Sequence, residues 1–142
     1  MTQDIDSETR LKIRSSIKYK RYSKAIEAIE SLSNADVHLT KSHTTALMIA
    51  CQTSLSDFTL ESLQFISYLL NNGADINAKN CYDKTALIYA IQYENTELME
   101  YLIKNGASLT YLGKNDFTLL DFGNLTKNAN VIEIIQKALV NI

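Results

Sequence analysis

The sequence predicts an all-α solenoid of about four helix-turn-helix units joined by hairpin loops. The first observation is a repeated phrase. NNGADIN at Asn71–Asn77 returns as KNGASLT at Lys104–Thr110, which sets Gly73 and Gly106 33 residues apart. The second is that the same interval of 33 carries Thr85 to Thr118, Leu87 to Leu120 and the small Ala90 to Gly123. A fixed period of this length marks a stacked repeat. The third is helical apolar spacing between the phrases, in segments too short to bury their apolar faces alone.

Taken in order, residues 1–8 read as a frayed tail. Leu11, Ile13, Ile17, Tyr22, Ile26, Ile29 and Leu32 then recur at roughly helical intervals. They predict helices over about 9–20 and 22–33, a degenerate first unit (9–41) whose outer face meets water and not a neighbour. Ala35-Asp36-Val37-His38 echoes Ala74-Asp75-Ile76-Asn77, and a hairpin follows from Leu39 to Thr44. The second unit (42–80) opens with a helix over about Thr45–Gln52. It is longer than its neighbour: Thr45 to Gly73 spans 28 positions, whereas Thr85 to Gly106 spans 21. The excess falls in Thr53–Ser62. Ser56 or Asp57 is placed to cap a helix that begins early and runs to Asn71, with Phe58 and Leu60 covering an adjacent helix. A loop exposing those two side chains is the alternative.

The third unit (81–113) is the best formed, with helices over about Ala86–Gln92 and Glu97–Lys104. Gly73 and Gly106 each follow a helix, where a left-handed residue is wanted and glycine carries no Cβ penalty. In the last unit (114–142), Phe117, Leu119, Leu120 and Phe122 stock the first helix. Val131, Ile132, Ile134, Ile135 and Leu139 stock the second, as a closing cap.

Asp83–Ile91 (DKTALIYAI), Glu97–Ile103 and Gly106-Ala107-Ser108 resemble the ankyrin-repeat pattern, as do Thr45–Cys51 and Phe65–Asn77. The resemblance implies a module that binds another protein along a concave face built from hairpin tips and first helices. It implies no catalytic residue and no cofactor. It also places glycine where Asp83 and Asp116 stand, so these two are expected at positive φ. The proline that usually opens the first helix is replaced by Ala46, Ala86 and Leu119, at little cost, because its contribution there is a pre-set φ. Asn77 resembles the ankyrin asparagines that an asparaginyl hydroxylase modifies; the stronger expectation is a hydrogen bond to the inter-repeat turn.

An apolar content of 46% in 142 residues fits one ordered domain. The polar, acidic start is no signal peptide, and no apolar run reaches membrane-spanning length. Cys51 stands at a small buried position and Cys81 in a hairpin, so two free thiols in a cytoplasm are expected, that of the producing cell or of a host. His38 and His43 lack further ligands at metal spacing, there is no phosphate loop, and nothing sets a nucleophile beside a base.

The candidate partner-binding residues are therefore the variable hairpin positions and the side of each first helix read as outward. They are Thr44, Met48, Lys79, Tyr82, Lys84, Ile88, Leu112, Lys114, Asn115 and Phe117. Tyrosines and exposed apolar groups beside lysines suit a protein interface, and the lysines would steer an acidic partner. The chain is expected to be monomeric alone and to serve as an adaptor or effector. The rival reading uses Arg10–Lys24, which holds seven Lys/Arg and no acid, to touch nucleic acid or an anionic membrane. Residues 25–142 carry thirteen acids against seven bases and oppose a polyanion.

Overall fold

The computed structural model describes residues 5–141. These form four helix pairs: α1 (Ser7–Lys18) with α2 (Tyr22–Glu30), α3 (Ala46–Ala50) with α4 (Leu60–Asn71), α5 (Ala86–Gln92) with α6 (Thr96–Lys104), and α7 (Leu119–Thr126) with α8 (Ala129–Val140). Among the described residues there is no strand, only two isolated antiparallel bridges in the hairpins, His38 with Thr45 and Leu112 with Thr118. The all-α reading holds.

The ends of the helices follow from a few residues. Thr45, Thr85 and Thr118 each sit in extended backbone and accept a hydrogen bond from the amide three residues on. Such an N-cap contributes about 1 kcal/mol. At the other end, Gly73 (φ +103) and Gly106 (φ +96) occupy the left-handed position after α4 and α6. The amides of Ala74 and Ala107 then reach back to the carbonyls of Leu69 and Leu102 at 3.0 Å each, closing a Schellman motif. The same motif turns α1 into α2 and α5 into α6, but with Lys20 (φ 56) and Glu94 (φ 53) in the left-handed place. Arg21 N donates to Ser16 O at 2.7 Å, and Asn95 N to Ala90 O at 3.0 Å.

Packing links the pairs into one body. First helices stack α1–α3–α5–α7, and second helices stack α2 on α4 and α6 on α8. One side chain from nearly every turn enters the shared core: Ile13, Ile17, Ile29, Leu47, Ile66, Leu69, Leu87, Ile91, Leu98 and Leu102 are all buried. Each such side chain contributes about 1.5–3 kcal/mol, and it can do so only because the next pair covers it. Gly123 is small for a packing reason: a Cβ there would lie 2.6 Å from Ile135 Cδ1.

Two expectations need correction. Residues 5–8 are not frayed: Ile5 is buried and Asp6 caps α1 through Thr9 N at 2.8 Å. (Residues 1–4 lie outside the described residues.) The second unit's excess lengthens α4 by only three residues relative to α6 (12 against 9), and the caps expected at Ser56 or Asp57 are not used. Ser54 and Asp57 bond to each other at 3.1 Å across a 3-10 turn, Leu55–Asp57, and Phe58 leaves it in extended backbone. The helix begins only at Leu60, where Thr59 and Ser62 cap each other reciprocally. Of the two apolar residues expected to cover a helix, Phe58 packs against the core and Leu60 is exposed.

The excess segment is nevertheless ordered. Its 3-10 turn packs against α6. Asn95, fully buried, donates from Nδ2 to Thr53 O at 3.0 Å while its Oδ1 caps α6 through Leu98 N at 3.1 Å. On the opposite side Lys20 Nζ donates to Asp57 O at 2.6 Å. The segment thus ties the first and third pairs together across the second.

Asp83 and Asp116 have φ 61 and 58, as expected, and His43 (φ 61) holds the same place in the first hairpin. A left-handed residue with a Cβ costs about 1 kcal/mol, less for Asp than for bulkier types. The Lys79–Asp83 pair, at 3.9 Å and half exposed, offsets little of that. Asp83→Gly is therefore expected to raise the urea midpoint, through a gain of at most about 1 kcal/mol in unfolding free energy after glycine's unfolded-state entropy is counted. Asp83→Val should lower it. A midpoint that falls with glycine would contradict the strain assignment.

Candidate functional site

The hairpins are built by short polar side chains bonding to backbone. Asn80 organises the second: its Oδ1 accepts from Tyr82 N and Lys84 N at 3.0 and 3.1 Å. Its Nδ2 donates to Thr44 Oγ1 at 3.2 Å and to Tyr89 Oη at 2.9 Å. Thr44 is buried by that contact, so the hairpins of adjacent units share a polar seam. Cys81 N donates to Ser42 O at 2.8 Å across the same seam.

Toward the third hairpin, Asn77 Nδ2 donates to Gly106 O at 3.3 Å and its Oδ1 accepts from Ser108 N at 2.7 Å. The inter-repeat hydrogen-bonding role expected of Asn77 is met. Tyr111 donates its phenol to Asp83 O. Burial first, and the nearby Asp83 second, hold that phenol above its ordinary pKa.

On this frame the predicted residues fall into three groups. Tyr82 and Leu112 stand out from neighbouring hairpins, 65% and 52% exposed, with Lys114 and Asn115 exposed beside them. Lys79, Lys84 and Phe117 lie at the surface but are engaged within the chain. Lys79 sits 4.8 Å over the Tyr111 ring and donates to Leu112 O, and Lys84 sits 5.5 Å over Tyr89. Phe117 packs edge-on to Phe122 at 4.8 Å, and Phe122 to Tyr111 at 5.9 Å.

Thr44, Met48 and Ile88 form the third group, and they are corrections. All three are buried, Met48 and Ile88 at 1% and 0% exposure. Met48, Ile88 and Asp121 are the third residues after the capping threonines, and a side chain at that position turns back toward the cap. Asp121 uses this geometry to accept from Thr118 N at 2.7 Å, while Met48 turns its sulfur toward Thr45 N and Ile88 fills the space with carbon. The residues that do face outward come one position later, about 100° around the helix: Ile49, Tyr89 and Phe122, all partly exposed.

The hairpin reading also missed a cleft of about 990 Å³ at the start of the same face. Its lining comes from α1, the α1–α2 turn, Thr40 and Thr44 of the first hairpin, α3, the Thr53–Asp57 segment and Tyr93. Arg14, Lys18 and Lys20 from the basic run line it. Tyr19, 64% exposed, lies at its lip with Lys18 and Arg21 at 5.8 and 6.0 Å from its ring. No signal in the sequence placed Thr53–Asp57 opposite this helix.

The remaining reactive groups do not converge. The His38 and His43 rings stack at 4.9 Å, and burial first, then the charge of His43, lowers the His38 pKa. Among the described residues no group of three potential ligands could hold a metal ion. Cys51 is buried, which pushes its thiol pKa up, and Cys81 is exposed; both are free. No helix among the described residues is long and apolar enough to cross a membrane.

A family model for ankyrin repeats, in three copies, matches residues 18–112. No curated protein matches the chain.

The division between core and surface is testable. Ile88→Ala should cost about 2–5 kcal/mol of unfolding free energy as a core truncation. Tyr82→Ala should stay within about 0.5 kcal/mol, as a surface change. Equal losses in denaturant titrations would contradict the placement of the two side chains.

Proposed function

We propose a protein-binding role, without catalysis, for this chain, which belongs to the ankyrin-repeat family. Members of that family are generally protein-interaction modules. The observation that carries the reading is the pair Tyr82 and Leu112. They are large apolar side chains held out on adjacent hairpins whose backbones are fixed by Asn80, Asn77 and Tyr111. Rigid presentation lowers the ordering cost of binding, and tyrosine is a frequent interface anchor. Lys114 and Asn115 would form the polar rim, with Lys79 and Lys84 adding positive field from above the rings they cover. Two free thiols support a cytoplasmic setting, of the producing cell or of a host. An adaptor or effector acting as a monomer fits this surface.

The rival use of Arg10–Lys24 on nucleic acid or membrane is disfavoured by the acidic remainder of the chain. It would show as affinity for an oligonucleotide or acidic vesicle that collapses with added salt. Once a partner is in hand, Tyr82→Ala combined with Leu112→Ala should weaken binding at least tenfold, about 1.4 kcal/mol, with the circular dichroism unchanged. Normal binding by this double variant, with loss on changing the outer faces of α4 or α6, would overturn the assignment.

A further inference from the structure

We propose that the cleft between α1, α3 and the Thr53–Asp57 segment is a second contact site, for an acidic peptide segment carrying an aromatic or aliphatic side chain. The proposal rests on the protein-binding reading above and names the chemistry of what it would bind. Charge complementarity carries it. Arg14, Lys18 and Lys20 line the cleft, and Asp57 is the one carboxylate residue among the lining. Lys20 is held by Asp57 O at 2.6 Å, so its charge is fixed at the wall. Arg14 and Lys18 are exposed and enter no ion pair among the described residues.

The lining also offers apolar side chains, among the polar Ser15, Thr40, Gln52 and Ser54. Leu11 is 62% exposed on α1, and Ile49 is the outward residue of α3. An acidic segment would set carboxylates on Arg14 and Lys18 and lay one apolar side chain against Leu11 and Ile49. Guanidinium and ammonium hydrogen bonds to carboxylate are charge-assisted, which suits Arg14 and Lys18 to acidic side chains. A nucleic acid fits less well. It would meet three cations in one recess and then the acidic surface of residues 25–142.

The test is selection of peptides from a random-sequence display library on the intact chain. Fluorescence anisotropy of the selected peptides, labelled, then measures their binding at physiological salt. Selected peptides should be enriched in Asp and Glu around an aromatic or aliphatic residue. Their binding should weaken at least tenfold in Arg14→Glu with Lys18→Glu, and stay within twofold in Lys12→Glu with Lys24→Glu. The second variant carries the same charge change outside the cleft lining. Should the first variant misfold, amide shifts of the unaltered chain on titration take its place, with perturbations expected at 11–20 and 49–54. Recovery of no peptides, or of peptides without acidic excess, overturns the proposal. So does equal loss in both variants, or tighter binding of a single-stranded oligonucleotide than of any selected peptide. Peptides lost to the Tyr82 and Leu112 changes but not to Arg14 and Lys18 overturn the cleft alone and leave the protein-binding reading standing.

Discussion

No helix pair in this chain can bury its own apolar face, and every other feature of the structure follows from that constraint. A pair such as α5–α6 has Leu87, Ile91, Leu98 and Leu102 buried at 2% exposure or less, in helices of seven and nine residues. Helices so short are marginal in isolation. They persist because the neighbouring pairs cover what each leaves open. The polar counterpart is equally strict. Hairpins pressed together at the seam must satisfy their own amides and carbonyls, since an unpaired buried group costs about 1–3 kcal/mol. Asn77 does this across a unit boundary at Gly106 O and Ser108 N, and Cys81 N does it at Ser42 O.

The same logic explains why the Thr53–Asp57 segment is ordered. It is an interruption of the repeat, yet it is pinned by Asn95 from the third pair and by Lys20 from the first. Tyr22 of the first pair anchors the start of α4, just beyond the segment. Its hydroxyl lies 3.0 Å from Ser62 Oγ, and its ring stacks on Phe65 at 4.9 Å. A loop held from both sides becomes a wall. The cleft beside α1 is a consequence: the wall faces Arg14, Lys18 and Lys20 and holds the last through Asp57 O.

Much of this was legible in the residues. The period located the four pairs, and Gly73 and Gly106 announced left-handed turns because glycine is the residue that enters that region freely. Asp83 and Asp116 at positive φ followed from the family resemblance. Lys20 and Glu94 take the same left-handed place without any signal, since their strain is outweighed by the two hydrogen bonds each turn closes. The start of α4 was misplaced because Ser56, Asp57 and Thr59 are all competent caps; only Thr59 has Ser62 to cap it in return. Met48 and Ile88 differ from the outward Ile49 and Tyr89 by one residue of helical phase, which apolar spacing alone does not resolve and the cap fixes. Asn95 in the core is the residue a polarity argument would least suggest. Its burial is tolerated because both ends of its amide are bonded.

Native-state hydrogen exchange, resolved by residue, tests the dependence of each pair on its neighbours most directly. The buried-face amides of α3, α4, α5 and α6 are expected to exchange with one common opening free energy, equal to that of global unfolding and shifted equally by Asn95→Ala. If the amides of α5 and α6 retained their protection after that change while those of α3 and α4 lost theirs, the pairs would be standing alone, and the account would be wrong.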